Sequence, residues 1–472
     1  MSNPTNSPPQ LFEARQPIFP RRVSGFFRNL KWWLMGFTLT IYYVTPWLRW
    51  DRGPNLPDQA VLVDMAGRRF YMFWIEIWPY EFYFVAGLLI MAGLGLFLFT
   101  SALGRVWCGY ACPQTVWTDL FILVERWIEG DRNARIKLWK QDFTWRKLRL
   151  RVTKWIVWAL IAMATGGAWV FYFADAPTLL GELVSGQAAF VAYGFIFALT
   201  AFTFVFGGFM REQVCTYMCP WPRIQAAMMD EDTITIAYRD WRGEPRGKKH
   251  ENTTGDCIDC MACVNVCPMG IDIRDGQQLE CITCALCIDA CDDVMTRIGN
   301  PRGLIDYLAL TDEPAERAGK APKAKWRHVI RARTILYSTL WSVVGILLVV
   351  ALFIKSDMDI TVSPVRNPIN VTLSDGSVRN AYDLRLRNKL GEDRELRVSI
   401  SSDAKLRVSL QGTQTLYVTV KANETFLQHV YITARADSPA ATAALSDVRI
   451  WVEDRSSAAR TYKNTVFHGK EQ

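Results

Sequence analysis

The sequence predicts a multi-domain membrane protein with an α-helical transmembrane bundle of about five spans, a cysteine-rich insert and a C-terminal β-sandwich. Three observations lead to this prediction. Half of the 472 residues are hydrophobic, and long stretches of them carry no charge. Eight of the twelve cysteines fall in two copies of one spacing. From residue 359 onward, apolar and polar residues alternate with a period of two, as in half-buried strands.

The membrane bundle is predicted from apolar runs, because about 20 apolar residues are needed to cross the hydrocarbon core of a bilayer. The runs cover residues 32–48, 82–104, 155–174, 188–210 and 335–354. The first run is shorter than the others, but Trp and Tyr, which favour the membrane interface, lie near its end. Residues 70–80 are also apolar but include Glu76 and Pro79, so we expect an interfacial helix there.

The distribution of Lys and Arg predicts the orientation of the bundle. The N-terminal tail and residues 105–154 and 211–334 are rich in Lys and Arg, whereas residues 174–187 contain neither. By the positive-inside rule the basic segments face the cytoplasm. Five spans then place the residues after Lys355 in the periplasm. The formal charge of +8 is explained by this topology, so no nucleic-acid partner is predicted.

Two copies of C-x2-C-x2-C-x3-C predict two [4Fe–4S] clusters, because in bacterial two-cluster ferredoxins the fourth Cys of each run ligates the other cluster. The predicted ligands are Cys257, Cys260, Cys263 and Cys291 for the first cluster, and Cys281, Cys284, Cys287 and Cys267 for the second. Pro268 follows the first run as expected, whereas Asp292 stands in place of the second proline. The alternative is a pair of zinc knuckles, but zinc sites usually separate two cysteine pairs by a long gap.

The other four cysteines form a second repeat, R-x-x-C-x-x-x-C-P, which begins at Arg105 and at Arg211. Each copy follows a predicted span, so two span–span–CxxxCP units indicate an internal duplication. Cysteines at i and i+4 share one helix face, and packing of the two repeats would bring four soft ligands together, with Met218 as an additional thioether. The candidate metal ligands are Cys108, Cys112, Cys215, Cys219 and Met218. Such ligands favour Cu(I), zinc or an iron–sulfur centre, and the alternative is that these cysteines are inert apolar residues of membrane helices.

Several cofactor classes lack their motifs. None of the four His lies in a predicted span, which disfavours haem b, and the sequence has no CxxCH motif for haem c. It also has no Rossmann fingerprint and no P-loop. Electrons must therefore come from another protein or from a quinol.

The period-two pattern after residue 359 predicts seven or more short strands, which fit an antiparallel immunoglobulin-like β-sandwich that docks to a partner. The predicted domains are a cytoplasmic tail (1–31), a four-span membrane domain (32–231), a two-[4Fe–4S] ferredoxin-like domain (232–334), a fifth span (335–354) and a periplasmic sandwich (355–472).

The motifs together resemble those of the cytochrome c oxidase accessory protein family (CcoG/FixG). The segments that carry the resemblance are WCGYACPQTVW, CTYMCPWPRIQ, CIDCMACVNVCPMGIDIRDG, CITCALCIDACD and PRGLIDY. The CxxxCP pair alone also occurs in membrane polyferredoxins of nitrate and nitrous oxide respiration.

The resemblance implies a multi-pass protein of the bacterial inner membrane that assists assembly of the cbb-type cytochrome c oxidase. The implied activity is that of a cupric reductase-like oxidoreductase, which supplies Cu(I) for the oxidase copper site. Its implied partners are the oxidase assembly machinery, a copper transporter and an unknown electron donor, and a homo-oligomer is compatible with the sequence. Two alternatives remain open, an electron-transfer subunit of a quinol-oxidising respiratory chain and a non-catalytic assembly scaffold.

Overall fold

A computed structural model describes residues 17–53, 56–247, 255–355 and 358–470, so residues 1–16 of the predicted tail lie outside the described residues. The chain divides into two compact units, one formed by residues 1–48 and 59–348 and the other by residues 49–58 and 349–472. Each unit is described by itself.

The first unit is mainly helical and contains two small sheets. Its helices are α1 (Phe26–Val44), α2 (Tyr83–Leu103), α3 (Val106–Tyr110), α4 (Pro113–Glu129), α5 (Arg132–Lys140), α6 (Trp145–Val170), α7 (Ala176–Ser185), α8 (Phe190–Phe202), α9 (Trp221–Met228), α10 (Asp240–Gly243), α11 (Ala262–Val266), α12 (Leu286–Ile298), α13 (Glu313–Arg317) and α14 (Lys325–Val329), and α15 (Ala332–Ile354) runs on into the second unit. Two π-helical segments (Thr203–Met210 and Val214–Met218) and short 3₁₀ turns (Thr45–Trp47, Pro79–Glu81, Ile273–Asp275, Leu310–Asp312) complete it. The strands are β1 (Val61–Asp64), β2 (Arg69–Met72), β3 (Ile75–Ile77), β4 (Thr235–Tyr238) and β5 (Ile305–Leu308).

Three of the five predicted spans are confirmed as helical segments long and apolar enough to cross a membrane. They are Pro79–Leu103, Phe190–Met210 and Ala332–Ile354. Large apolar side chains point outward from them, and Leu89, Phe197 and Phe353 are 66%, 76% and 85% exposed. A continuous apolar exterior on a long helix is expected where lipid is the solvent.

The other two predicted spans lie in helices α1 and α6, whose apolar stretches are shorter than those of the three helices above. Helix α1 begins with Arg28 and Lys31 in its first two turns, which leaves 13 residues of apolar helix after Lys31. The first ten residues of the 26-residue helix α6 include five Lys or Arg residues, so its apolar part starts at Trp155. The described residues thus contain three candidate spans, fewer than the five predicted.

The prediction of an interfacial helix at residues 70–80 is wrong. Strands β1, β2 and β3 form an antiparallel three-stranded sheet here, with Phe70 opposite Val63 and Ile77. The segment Phe-Tyr-Met-Phe-Trp-Ile-Glu-Ile is rich in aromatic and β-branched residues, which favour strands. Phe73, with φ of +53°, makes the turn between β2 and β3.

The ferredoxin-like part of the first unit is built around α11 and α12. Strands β4 and β5 pair in an antiparallel ribbon, and their residues Ile236 and Ile305 are buried against α12 together with Met295. The cysteines of both runs lie in this core or at its edge. The sequence between residues 255 and 309 thus forms a small compact support for two ligand loops.

The second unit is an antiparallel β-sandwich, as predicted. Its strands are β6 (Met358–Pro364), β7 (Val371–Thr372), β8 (Val378–Asn388), β9 (Arg394–Ser401), β10 (Leu406–Leu410), β11 (Tyr417–Val420), β12 (Thr425–Ala434), β13 (Leu445–Asp454) and β14 (Arg460–His468), with a short helix α16 (Pro439–Thr442). One sheet has the order β10-β12-β8-β6, with β7 also paired to β8, and the other has the order β11-β9-β13-β14. Alternate residues of each strand fill the core, as at Tyr382, Leu384 and Leu386, which are fully buried.

Candidate metal centres

The two ferredoxin-type cysteine runs fold into loops with the same backbone geometry. Asp259 and Met261 flank the second Cys of the first run with φ of +52° and +57°, and Thr283 and Ala285 occupy the matched positions of the second run with φ of +54° and +60°. Positive φ is uncommon for residues other than glycine, and it recurs here at equivalent positions. Each loop leads directly into a helix, α11 after Met261 and α12 after Ala285.

The four cysteines predicted for the first cluster lie near one another. Burial raises the pKa of the Cys291 thiol to about 12, and the thiols of Cys263, Cys260 and Cys257 are close enough to raise it further. Cys291 lies on α12, whereas Cys257 and Cys260 belong to the first loop and Cys263 lies on α11. The fold thus brings the last Cys of the second run to the first three of the other run.

The four cysteines predicted for the second cluster line one small cavity. Cys267, Cys281, Cys284 and Cys287 share its wall with apolar side chains, among them Ile273. Burial raises the pKa of the Cys267 thiol to about 12, and the nearby thiols of Cys284 and Cys281 contribute. Cys263 of the first set lines the same cavity, so the two sets of cysteines adjoin each other.

All twelve cysteines are free of disulfide bonds. Among the residues that the structure describes, no three Cys, His, Asp or Glu side chains are close enough to hold a single metal ion, and this applies to the CxxxCP cysteines as well as to the two ferredoxin-type runs.

Arg274 braces the first ligand loop and was not singled out from the sequence. Its guanidinium donates to Asp259 and Asp272 at 2.6 Å each and contacts the sulfur of Met261 at 2.7 Å. Hydrogen bonds to Asp272 raise the pKa of Arg274, so it stays charged. The side chain is 4% exposed and holds both residues with positive φ in this loop.

The four cysteines of the CxxxCP motifs lie near one another. Burial raises the pKa of the Cys215 thiol to about 12, and the thiols of Cys112, Cys108 and Cys219 raise it further. The Cys108 thiol is buried and donates to Oε1 of Gln225 at 3.1 Å. We call Cys108, Cys112, Cys215 and Cys219 the thiol nest.

The two thiols of each CxxxCP pair do not share a helix face, contrary to expectation. Cys112 and Cys219 have extended backbones, with ψ of 127° and 124°, and each precedes a proline. The proline ring disfavours helical geometry in the residue before it. Pro113 therefore starts the new helix α4, and the second thiol of each pair lies at a bend between two helices.

Buried charges join the two repeats. Glu125 of the first repeat accepts from Arg211 of the second, and it also pairs with Arg135 and with Lys154 at 3.4 Å. Burial alone would raise the pKa of Glu125, but the three cations outweigh it and lower the pKa. Arg105 favours the Cys108 thiolate, but burial dominates and the pKa of that thiol is raised.

The thiol nest lies directly against the second ligand loop. A Cβ atom on Gly109, which follows Cys108, would lie 2.6 Å from the carbonyl oxygen of Ile282 and 3.0 Å from Cα of Cys284. The hydroxyl of Tyr110 donates to the carbonyl oxygen of Cys284 at 3.2 Å. Only glycine permits this close approach of two backbones.

Comparisons with known proteins agree with these observations. A 4Fe-4S dicluster domain family matches residues 210–309, a 4Fe-4S binding domain family matches residues 84–131, and the family of the IG-like fold at the C-terminus of FixG matches residues 348–470. The nitrogen fixation protein FixG of Rhizobium meliloti is 55% identical over 413 residues, which are 81% of this chain and 79% of that protein. The chain belongs to the FixG family.

Two further relatives come from Cereibacter sphaeroides. Protein RdxB is 66% identical over 475 residues, which cover all of both chains. Protein RdxA is 67% identical over 444 residues, which are 94% of this chain and 95% of that protein. The chain is thus an iron–sulfur redox protein with membrane helices, two 4Fe–4S domains and an immunoglobulin-like C-terminal domain, as expected from the resemblance.

The matched 4Fe-4S binding domain contains only two of the twelve cysteines of this FixG-family chain. Residues 84–131 hold Cys108 and Cys112 alone. Two thiols cannot complete the four-thiolate ligand set of a [4Fe–4S] cluster. A [4Fe–4S] cluster in this region would therefore need thiols from outside it, such as those of Cys215 and Cys219.

Proposed function

We propose that the protein reduces Cu(II) to Cu(I) for the copper site of the cbb-type cytochrome c oxidase and so assists assembly of that enzyme. The observation that carries the proposal is the contact of Gly109 and Tyr110 with the ligand loop at Cys284. This contact lies between the soft thiol ligands of the nest and the proposed ligand loop of an iron–sulfur cluster. Assembly factors and a copper transporter are the proposed partners.

Eight cysteines are the proposed ligands of two [4Fe–4S] clusters, grouped as the sequence predicts. When bound, the clusters supply one electron at a time, at potentials that reach well below that needed to reduce Cu(II). Ile273 and Ile282 on the wall of the second site exclude water from it. Arg274 holds the conformation of the first loop through its hydrogen bonds to Asp259 and Asp272.

The thiol nest is the proposed binding site for copper. Thiolate and thioether ligands favour Cu(I) over Cu(II), so a nest of cysteines stabilises the reduced ion. Burial raises the pKa values of Cys108, Cys112 and Cys215, so binding of Cu(I) must release protons from them. Gln225 accepts from the Cys108 thiol and orients it.

Five spans, with the ferredoxin-like part in the cytoplasm and the sandwich in the periplasm, remain our proposal for the topology. Two contacts support it. Gln59 bonds to Ala176 at 2.9 Å and Arg28 to Asp119 at 2.8 Å, and in each pair the two residues lie on opposite sides of the span Pro79–Leu103 in sequence. Gln59 and Ala176 can lie on the same side of a membrane only if α6 crosses it as well. Arg28 and Asp119 can do so only if α1 crosses it as well. Reporter fusions after Ser185 and after Gly319 test this proposal.

The proposed function is tested on full-length protein purified without oxygen. We expect eight irons and eight sulfides per chain, and oxidation of the reduced protein by Cu(II). The double variant Cys215→Ala/Cys219→Ala should keep eight irons and lose bound copper. Twelve irons in the parent, falling to eight in the variant, would instead assign a third cluster to the nest and remove the copper site.

The quinol-oxidising chain is distinguished by the electron donor. It predicts that a short-chain quinol reduces the protein and that purified protein binds no copper in stoichiometric amounts. A scaffold role predicts normal oxidase maturation in cells whose variant protein is folded but has no redox-active iron. Either result would displace the copper proposal.

A further inference from the structure

A wide cleft opens beside the thiol nest. It has a volume of about 1110 Å³ and is bordered by the second CxxxCP motif, helix α5 and the second half of the first cysteine run. Three methionines, Met210, Met218 and Met269, line it, and so does Cys267. Met218 is 52% exposed, so solvent reaches its thioether.

A smaller pocket adjoins this cleft and reaches Cys215, one residue of the nest. It is lined by Cys215 together with Thr115, Asp119 and Ile282. Met269 and Glu212 line both the pocket and the cleft. These two side chains therefore form the boundary between the open cleft and the thiol of Cys215.

Met269 also lines the cavity of the second cluster site. That cavity has the thiols of Cys267, Cys281, Cys284 and Cys287 on its wall. A single thioether thus borders the open cleft, the pocket at Cys215 and the second set of cluster thiols. Among the described residues, no other one lines all three spaces.

The chemistry of this boundary suits copper in both oxidation states. A carboxylate oxygen, as on Glu212, is a harder ligand that accepts Cu(II), whereas thioethers select Cu(I). Thioether sulfur is uncharged, so it binds Cu(I) without losing a proton and releases it to thiolates more readily than a thiolate would. A cleft with thioethers on the way to a thiol nest is a transfer path for the soft ion.

We propose that the cleft is the entry and exit path of copper on the side of the ferredoxin-like domain, and that Met218 and Met269 are thioether ligands of Cu(I) on that path. The inference rests on the proposed function and deepens it. It assigns the side from which the nest exchanges copper. It also gives Met218 a role as a ligand outside the nest.

The experiment measures Cu(I) binding to the full-length protein in detergent, with clusters present and oxygen excluded. Cu(I) is supplied from bicinchoninate, whose coloured Cu(I) complex reports the competition. The double variant Met218→Leu/Met269→Leu keeps side-chain volume and removes both thioethers. We expect its affinity for the Cu(I) that is bound beyond the equivalent held by the thiol nest to fall by about tenfold or more, and the copper X-ray absorption fine structure of the protein loaded in this way to report fewer sulfur neighbours.

Two variants with the same chemical change serve as controls. Met65→Leu alters an exposed methionine and Met295→Leu a buried one, and neither residue lines the cleft or the pocket at Cys215. Both should bind Cu(I) as the parent does. Equal weakening in these controls would overturn the assignment of Met218 and Met269.

The outcomes separate the inference from the function on which it rests. If the parent protein neither binds Cu(I) nor is oxidised by Cu(II), both the proposed function and the copper path are wrong. If the parent protein binds Cu(I) and is oxidised by Cu(II), but the double variant has an unchanged affinity for Cu(I), only the copper path is wrong. If Met269→Leu lowers the iron content, the test uses the single variant Met218→Leu. An unchanged affinity for Cu(I) and an unchanged number of sulfur neighbours of copper in Met218→Leu would then overturn the proposal.

Discussion

The carboxylate of Asp289 accepts hydrogen bonds from the backbone N–H groups of Arg28 at 2.7 Å and Phe27 at 3.2 Å. Asp289 lies on α12 between Cys287 and Cys291, whereas Phe27 and Arg28 open helix α1. Gly25 has no side chain of its own to cap this helix, and a Cβ there would lie 2.3 Å from Asp289. The helix that carries two cluster thiols therefore caps the first helix of the bundle.

Replacement of Asp289 by Ala should weaken this junction. Two buried N–H groups lose their acceptor, and the expected loss in the free energy of unfolding is about 1–2 kcal/mol. Thermal unfolding followed by near-ultraviolet circular dichroism measures it. Asp293→Ala is the control because Asp293 is half exposed and its ion pair is with Arg297 on its own helix. A loss as large in the control would contradict the capping role.

Replacement of Gly109 by Ala should slow electron transfer to the nest and leave both clusters in place. The new methyl group would meet the backbone of Ile282 and Cys284, so the two loops must separate. A longer distance between electron donor and acceptor lowers the rate of electron tunnelling, so the rate should fall a few-fold. Stopped-flow oxidation of the reduced protein by Cu(II) gives the rate.

Gly36→Ala is the matched control for Gly109→Ala, because nothing lies within 4 Å of a Cβ at Gly36. It should oxidise at the parental rate. Iron analysis of both variants should give eight atoms per chain. A parental rate in Gly109→Ala would mean that the loop contact is not the path of electrons.

Replacement of Arg274 by Ala should release the first ligand loop. Asp259 and Met261 lose the guanidinium that holds them, so the iron content should fall from eight toward four per chain. Iron analysis and electron paramagnetic resonance of the reduced protein detect the loss. Arg297→Ala, at a residue 72% exposed, should retain all eight. Full iron content in Arg274→Ala would show that the loop needs no such brace.

The affinity of the nest for Cu(I) should rise with pH. The pKa values of Cys108, Cys112 and Cys215 are raised by burial, the last to about 12, so these thiols are protonated at neutral pH. Cu(I) displaces those protons, and the affinity should increase by up to about tenfold per pH unit for each proton released. Chelator competition between pH 6 and 9 measures the slope. A flat profile would exclude thiolate ligation.

The sequence predicts the sandwich and the grouping of the cluster cysteines because both depend on local spacing. In each run the first two cysteines lie on the loop that has the positive-φ residues, and the third, Cys263 or Cys287, lies on the helix that follows. Ligation itself stays a prediction. Gly109, Arg274 and Asp289 were missed because their roles depend on contacts with residues up to 262 positions away.

The errors have local causes. Residues 70–80 are apolar enough for a helix, but aromatic and β-branched side chains favour strands, and hydrophobicity alone does not distinguish the two. The expected i, i+4 pairing of Cys108 and Cys112 neglected the effect of Pro113 on the residue before it. Helices α1 and α6 each begin with turns that contain Lys and Arg, so the apolar part of each helix is shorter than the helix itself.

The residues with positive φ in the two ligand loops have a consequence for maturation of the chain. None of the four is glycine, and each non-glycine residue in this region of backbone space costs about 1–2 kcal/mol. Iron binding must offset that sum, so the loops should lose their conformation when iron is withheld. A newly made chain without iron would then expose the apolar surface around Ile273 and Ile282 to proteases. The cellular amount of this protein should accordingly follow the iron supply.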